Sequence, residues 1–348
     1  MWPFDMETGR SVPVSRSKDP AAWFGYADAD VPVVTQWDDG QHTGTEPGTV
    51  ATSSASMPSV VFRMLRDLDV QPGNRTLEIG TGTGWNAALL AHRLGAENVV
   101  TVEVDEAVAT RARTALRHFE LPVRIIHGDG LKGYPEGGPY DRIIATCGVR
   151  SIPVAWIEQS RPGEAIVVPW GTHYSNDDAV ARLVVSENGA DATGAFTGPV
   201  AFMKARAQRL VPVTHSEYVT DSAADREKSS TPITETEFLG ERFSAQRFAL
   251  GLSLRHCVHV VAEKRDGARP VWFFGLGDRS WACVKFQDGQ AHSQVWQSGP
   301  RRLWDEVTAT LDWWREAGEP GHERFGLTLT PEGTHRAWLD DPTDSWAV

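Results

Sequence analysis

The chain has 348 residues, room for about two ordinary domains or one core with a large extension. Apolar residues make up 41% and charged residues 23%, a globular composition that excludes a mostly disordered chain. With 34 basic against 46 acidic side chains the net charge is −12, which argues against nucleic acid or an anionic membrane as the main partner. Apolar runs fall short of a membrane span and residues 1–17 carry no apolar signal-peptide region, so a cytoplasmic location is expected. Cys147, Cys257 and Cys283 are too widely spaced for a disulfide framework or a CxxC zinc pattern, and reduced thiols are expected.

Residues 1–50, rich in Pro, Gly, Asp and Thr, read as an N-terminal cap segment with one strand-like run at 31–37. Pro58 opens a helix with Val61, Met64, Leu65 and Leu68 on one face. Strands are predicted at 75–79, 98–104, 123–126, 141–146 and 165–168, with helices at 85–94, at 106–119 and after Pro153. Two further strands, near 181–185 and 200–203, lack a helix between them and read as an antiparallel edge hairpin. The alternation predicts an α/β fold, a doubly wound and largely parallel sheet with helices on both faces, over residues 51–210. The polar stretch 211–240 reads as a linker. Beyond it, strand-like runs at 258–262, 271–274, 281–286 and 293–296, an amphipathic helix at 301–316 and a hairpin at 325–339 predict an α+β accessory region over 241–348. Trp304, Trp313 and Trp314 are expected in its core. His256-Cys257-Val258-His259 reads as a structural strand, because neighbouring side chains point to opposite faces and do not chelate together.

The strongest chemical signal is Leu77-Glu78-Ile79-Gly80-Thr81-Gly82-Thr83-Gly84-Trp85, a glycine-rich turn between a strand and a helix. Such a turn alone is weak evidence, since nicotinamide and flavin enzymes use a related one. Three companions sharpen it: Glu78 just before the first glycine, Glu103 at the end of the next strand, and Asp129-Gly130 after the third. A strand-end carboxylate can accept from both ribose hydroxyls, and an acid after the third strand can meet an adenine amino group. The set fits S-adenosylmethionine, a cationic adenosine ligand without a pyrophosphate.

From Ser53 to Gly171 the chain resembles the protein-L-isoaspartate O-methyltransferases. The matching pieces are Ala55-Ser56-Met57-Pro58, LEIGTGTGW, VVTVEVD, IIHGDG, YDRIIAT and Arg161-Pro162-Gly163 with VVPWG. The resemblance implies a class I methyltransferase fold that uses S-adenosylmethionine, with S-adenosylhomocysteine as product, to esterify a carboxylate. It makes Ser56 the active-site serine, flanked on the substrate side by Ser54 and Met57. It makes Glu78, Gly80, Thr81, Gly82, Thr83, Gly84, Glu103, Val104, Asp129, Gly130 and Thr146 the cofactor contacts. Ser53 and Ser54 read equally as loop residues or a cap for the helix at Pro58. Arg206 lies where the substrate edge is expected, as a contact for an acidic peptide or as an ordinary exposed arginine.

The chain departs from the repair enzymes in Ser56-Met57-Pro58, in Phe202-Met203-Lys204-Ala205-Arg206 and in more than 130 residues after the core. With VTQWDDG and GPRRLWDEV, these look like the branch that tailors ribosomally made peptides in lanthipeptide, lasso-peptide and graspetide pathways. That likeness implies a constrained precursor peptide as partner, methylated on one ordinary aspartate and then closed to an aspartimide and isoaspartate. General repair of isoaspartyl proteins is the alternative. Removal of residues from about 240 onward is expected to spare cofactor binding.

Overall fold

The computed structural model describes residues 1–219 and 226–348, and the part of the expected linker at 220–225 lies outside the described residues. Three sheets organise the described residues. The largest has ten strands, and its first half is parallel: Thr76–Ile79, Val99–Glu103 and Arg124–His127 run to one side, Tyr140–Ala145 and Ser160–Trp170 to the other. After its third strand the chain returns to the far side of Thr76–Ile79. The switch point of this doubly wound sheet therefore lies between the carboxyl ends of Thr76–Ile79 and Tyr140–Ala145, where such sheets open a crevice.

Alternate side chains divide the core between the two faces of the sheet. Ile144, Val167 and Val180 pack with Met64 and Leu68 of the helix Pro58–Leu68 and with Leu90 and Leu94 of the helix Trp85–Leu94. Ile143, Ile166 and Val168 pack on the other face with Trp156, Ile157 and Phe248. The parallel strands bury Leu77, Ile79, Val100, Val102, Ile143, Ile144, Ile166 and Val167 between the two faces, as a sheet covered on both sides requires, and carry the buried polar Glu78, Thr101 and Glu103 among them.

The other half of the large sheet is antiparallel, and here the structure corrects the sequence reading. The strand expected near 200–203 is Ala192–Val200. Its glycines and proline hide it, and Gly194 is needed because a Cβ there would lie 1.9 Å from the Arg182 carbonyl oxygen. The pair Asp178–Val185 and Ala192–Val200 is antiparallel but not at the edge, because Phe325–Leu329, His335–Leu339 and Ser345–Ala347 continue the sheet beyond it. The C-terminal hairpin thus completes the main sheet. Removing residues from 240 onward would strip three of its strands and the buried Phe248, Ala249 and Leu252, so such a truncation does not leave an intact core.

The smaller sheet holds the four strands expected beyond 240, at Cys257–Val261, Ala268–Gly275, Trp281–Gln287 and Ser293–Ser298, all antiparallel. A fifth, Glu227–Thr231, pairs along its edge from within the stretch read as a linker. Its sequence EKSST is polar because four of its five residues are exposed. The helix Leu303–Glu316 joins the two cores. Its Leu303, Trp304 and Val307 pack under the smaller sheet, whereas Trp313 and Trp314 pack against the core of the large one.

A third sheet, Trp2–Asp5, Arg10–Ser11, Val33–Trp37 and Ala51–Ala55, forms from the N-terminal segment. Ser53 and Ser54 are therefore strand residues paired with Gln36 and Val34. They do not cap the helix at Pro58, whose N-cap is Met57 without a side-chain bond. Among the described residues, no helix is long and apolar enough to cross a membrane and no group of His, Cys, Asp and Glu could hold a metal ion.

Candidate active site

The glycine loop leaves the strand Thr76–Ile79 at the switch point. Gly80 takes φ +97°, and a Cβ there would come within 3.0 Å of Thr146 Oγ1, so the loop and the end of Tyr140–Ala145 approach as only glycine permits. The Thr146 N–H donates to the Ile79 carbonyl at 2.9 Å and its hydroxyl donates to the Gly80 carbonyl, which pins the two strand ends together. Gly82 donates its N–H to Glu103 Oε2 at 2.9 Å, and Asp105 N–H donates to Glu103 Oε1 at 3.0 Å. Gly84 plays a different part from the one expected, as the left-handed N-cap of the helix Trp85–Leu94 packed over Leu116.

Glu78 is fully buried and holds the inner wall. Its Oε1 accepts from Asn86 Nδ2 at 2.7 Å and its Oε2 from the Thr101 hydroxyl at 2.6 Å. With the Thr101 proton committed, the Thr81 hydroxyl donates to Thr101 Oγ1 at 2.8 Å. Burial pushes the Glu78 carboxyl up to about 7, against the two hydrogen bonds, and the nearby Glu103 charge pushes the same way.

Glu78, Gly80, Thr81, Gly82, Thr83, Glu103 and Thr146 all line one cavity of about 90 Å³, together with Ser54 from the N-terminal sheet and Ser56 from the link between that sheet and the helix Pro58–Leu68. Seven of the expected cofactor contacts thus meet two of the expected substrate contacts. Two others stand apart: Asp129 turns to the Leu131 N–H at 3.0 Å, and Gly130 offers its carbonyl to Trp156 Nε1 at 2.9 Å. Val104 is an exposed residue just past the strand end. These three lie beside the cavity rather than in its wall.

A second, more apolar groove of about 330 Å³ adjoins the first and shares Ser54, Ser56, Phe202 and Met203 with it. Met57 lines this groove alone. The two serines stand where the cavity meets the groove.

Arg206 lines neither space. Its Nε pairs with Asp39 at 2.9 Å and its Nη2 with Asp105 at 2.6 Å, while Arg209 meets the same Asp39 at 2.9 Å. Gln36 Nε2 adds a bond to Asp105 at 3.3 Å. Burial works to raise the Asp105 carboxyl, but the bonds from Arg206, the Val108 N–H and Gln36 outweigh it and hold it at about 2. The arginine expected as a substrate contact instead ties the N-terminal sheet to the loop after Glu103.

Sequence reasoning missed Asn86, Thr101, Thr52, Phe202 and Met203. Asn86 sits two residues past the last glycine of the loop, a position its polarity could have flagged ahead of the apolar run Ala87 to Ala91. Cys147, next to Thr146, is a half-buried residue whose thiol is pushed up to about 12 by desolvation, which disfavours the reactive thiolate.

The residues present fit S-adenosylmethionine: a glycine cradle that a Cβ would fill, a strand-end carboxylate with further acceptor capacity, and two acidic side chains near a cationic ligand. The chain is 39% identical over 124 residues to the protein-L-isoaspartate O-methyltransferase of Pyrococcus horikoshii, covering 36% of this chain and 56% of that protein. It is 39% identical over 163 residues to that of Anaeromyxobacter dehalogenans, covering 46% and 72%. The chain thus spans little more than half the length of the archaeal relative. A solved structure of a protein-L-isoaspartate O-methyltransferase shares the fold over 91% of this chain and 89% of its own, with a TM-score of 0.52 and 21% identity. The long C-terminal region therefore has a counterpart in a chain of that name. The sequence pattern of the protein-L-isoaspartate(D-aspartate) O-methyltransferase family matches residues 26–209, more than half of the chain, and the chain belongs to that family.

Proposed function

We propose that this protein transfers the methyl group of S-adenosylmethionine to the free carboxylate of an isoaspartyl residue in a peptide or protein. The observation that carries the reading is the position of Ser54 and Ser56, two residues that line both the glycine-loop cavity and the adjoining groove. The names borne by the Pyrococcus and Anaeromyxobacter relatives support the acceptor.

The chemistry asks little of the protein. A carboxylate with a pKa near ~4 is already an anionic nucleophile at neutral pH, so no general base is required. When bound, S-adenosylmethionine supplies a methyl group activated by its own sulfonium. In this reading the glycine loop and Glu103 hold the adenosine half, and Glu78 and Glu103 favour the positive charge. Ser54 and Ser56 donate hydrogen bonds that orient the acceptor without protonating it, so catalysis rests on proximity and alignment.

The finer reading, a dedicated tailoring enzyme acting on an ordinary aspartate of a modified ribosomal peptide, rests on the extension after the core together with Ser56-Met57-Pro58, the stretch from Phe202 to Arg206, VTQWDDG and GPRRLWDEV. A fold match that spans this region in an isoaspartate methyltransferase favours the isoaspartyl acceptor as the first to test. The experiment incubates the protein and S-adenosylmethionine with an isoaspartyl peptide, its aspartyl twin and a matured precursor peptide, read by mass spectrometry. Methylation of the isoaspartyl peptide alone supports the proposal. Methylation of the precursor alone, with later loss of methanol, replaces it by the tailoring reading, and no methylation of any sinks both.

A further inference from the structure

We infer that the apolar groove beside Ser54 and Ser56 is a specificity subsite for a bulky apolar side chain flanking the acceptor carboxylate, and that Arg242 at its rim pairs with an anionic group of the same peptide. The inference rests on the methyl-transfer reading for its acceptor and on separate observations for its occupant. The groove's volume of about 330 Å³ is within the range of sites that bury a small ligand, ~300–1,000 Å³, and exceeds the adjoining cavity of about 90 Å³. Its walls are mostly apolar and come from distant parts of the chain. Phe4 and Met6 arrive from the N-terminal sheet, and Phe243 and Arg242 from the region after the family match. A peptide whose carboxylate meets the serines has its neighbouring side chain at the groove, since Ser54, Ser56, Phe202 and Met203 belong to both spaces.

Two features mark this wall as more than surplus surface. Phe243 adopts φ +64°, a left-handed conformation that costs a bulky residue and that glycine takes freely. Strain kept at one residue lining a cavity points to a role for that side chain. Met6, 62% exposed, leaves a flexible apolar side chain at the mouth, suited to closing on a partner of variable shape. The chain's net charge of −12 repels acidic peptides in general, yet Arg242 is exposed and its guanidinium lies 4.8 Å above the Phe243 ring. No carboxylate pairs with it among the described residues, so an arriving carboxylate is its charge complement.

The test uses the full chain and isoaspartyl pentapeptides that differ only in the residue beside the isoaspartate, Phe or Gly, each with a free or an amidated C-terminus. Calorimetry on protein saturated with S-adenosylhomocysteine reads binding without chemistry, and initial rates read KM and kcat. The Phe peptide is expected to bind about ten-fold tighter, with the difference in KM rather than kcat. Phe243→Gly, which relieves the backbone, is expected to keep the thermal midpoint and bring the ratio close to one, and Met6→Asp to lower the ratio. Arg242→Glu is expected to abolish the preference for a free C-terminus. Equal affinity for the two peptides in the unaltered protein, or a ratio unmoved by both Phe243→Gly and Met6→Asp, overturns the inference. Methylation of both peptides alike removes the subsite and leaves the reaction. A Phe preference in binding with no methyl transfer keeps the subsite and removes the reaction.

Discussion

Glu78 offers a quantitative handle on the site. Its carboxyl titrates at about 7 in the folded chain against an ordinary value of 4.5. Between these values the folded state binds more protons than the unfolded one, so the stability this carboxyl contributes is whole below pH 4.5, falls as pH rises to 7 and is level above it. The gap corresponds to about 3 kcal/mol as an upper figure. Glu78→Gln removes the titration while sparing the bonds: its Oε1 still accepts from Asn86, and its Nε2 donates to Thr101, which then donates to Thr81. Urea unfolding followed by tryptophan fluorescence at pH 5, 6, 7 and 8 measures both proteins. The variant is expected to gain up to about 3 kcal/mol relative to the unaltered chain across that range. The same charge couples to the ligand. A sulfonium favours ionised Glu78, so S-adenosylmethionine binding at pH 6 is expected to release protons and S-adenosylhomocysteine binding to release far fewer, read by calorimetry in buffers of different ionisation enthalpy. Parallel stability curves for the two proteins would refute the burial argument.

Ser56→Ala is expected to lower kcat by about ten-fold or more while cofactor affinity by calorimetry stays within about two-fold, because one oriented hydrogen bond is lost and the glycine cradle is untouched. Equal loss of both would deny the serine its place beside the acceptor. His335 gives the opposite pH slope to Glu78: its Nε2 accepts the Ile152 N–H at 2.9 Å, and burial pushes the imidazole down to about 4. The unfolded chain binds the proton first, so this contribution is whole above pH 6.5 and is lost as pH falls towards 4. His335→Gln keeps an acceptor for Ile152 and is expected to flatten the acid limb by up to about 3 kcal/mol, and an unchanged limb in acid titration would count against it.

What the sequence reveals and what it hides follow from range. The glycine loop, Glu78 and Glu103 are legible because a strand, a tight turn and a helix fix their positions within 26 residues, from Glu78 to Glu103. The strand Ala51–Ala55 is not, because ATSSA has a single β-branched residue, Thr52, and no aromatic one to mark a strand, and pairing with Val33–Trp37 makes it one. The two serines are thus nameable by resemblance, but the setting of Ser54 in this strand, with Ser56 just past its end, is not. Arg206 misleads for the same reason. Its partners Asp39 and Asp105 lie more than 100 residues away in sequence, and nothing local announces them. The C-terminal hairpin is read correctly as strands and wrongly as part of a separate unit, because hydrophobic pattern specifies a strand and not its neighbour.

The cations near the acceptor point to a last consequence. A lysine or arginine against the acceptor carboxylate would bind it and quench its nucleophilicity. Lys204 follows Met203 at the cavity but turns away to pair with Asp178, both side chains being almost wholly buried. The Gly148 N–H donates to the Met203 carbonyl and the Ala205 N–H to the Gly148 carbonyl, each at 2.9 Å, so this pair anchors the segment carrying Phe202 and Met203. Burial opposes charge on both partners, pushing Asp178 up and Lys204 down, and each group offsets the cost for the other. Asp178→Asn or Lys204→Met alone leaves a buried group unpaired and is expected to cost about 3–5 kcal/mol in urea unfolding. The double variant, with neither charge, is expected to recover most of that loss. Additive losses in the cycle would mean that the two residues act separately, and the segment at Phe202 and Met203 would then need another anchor.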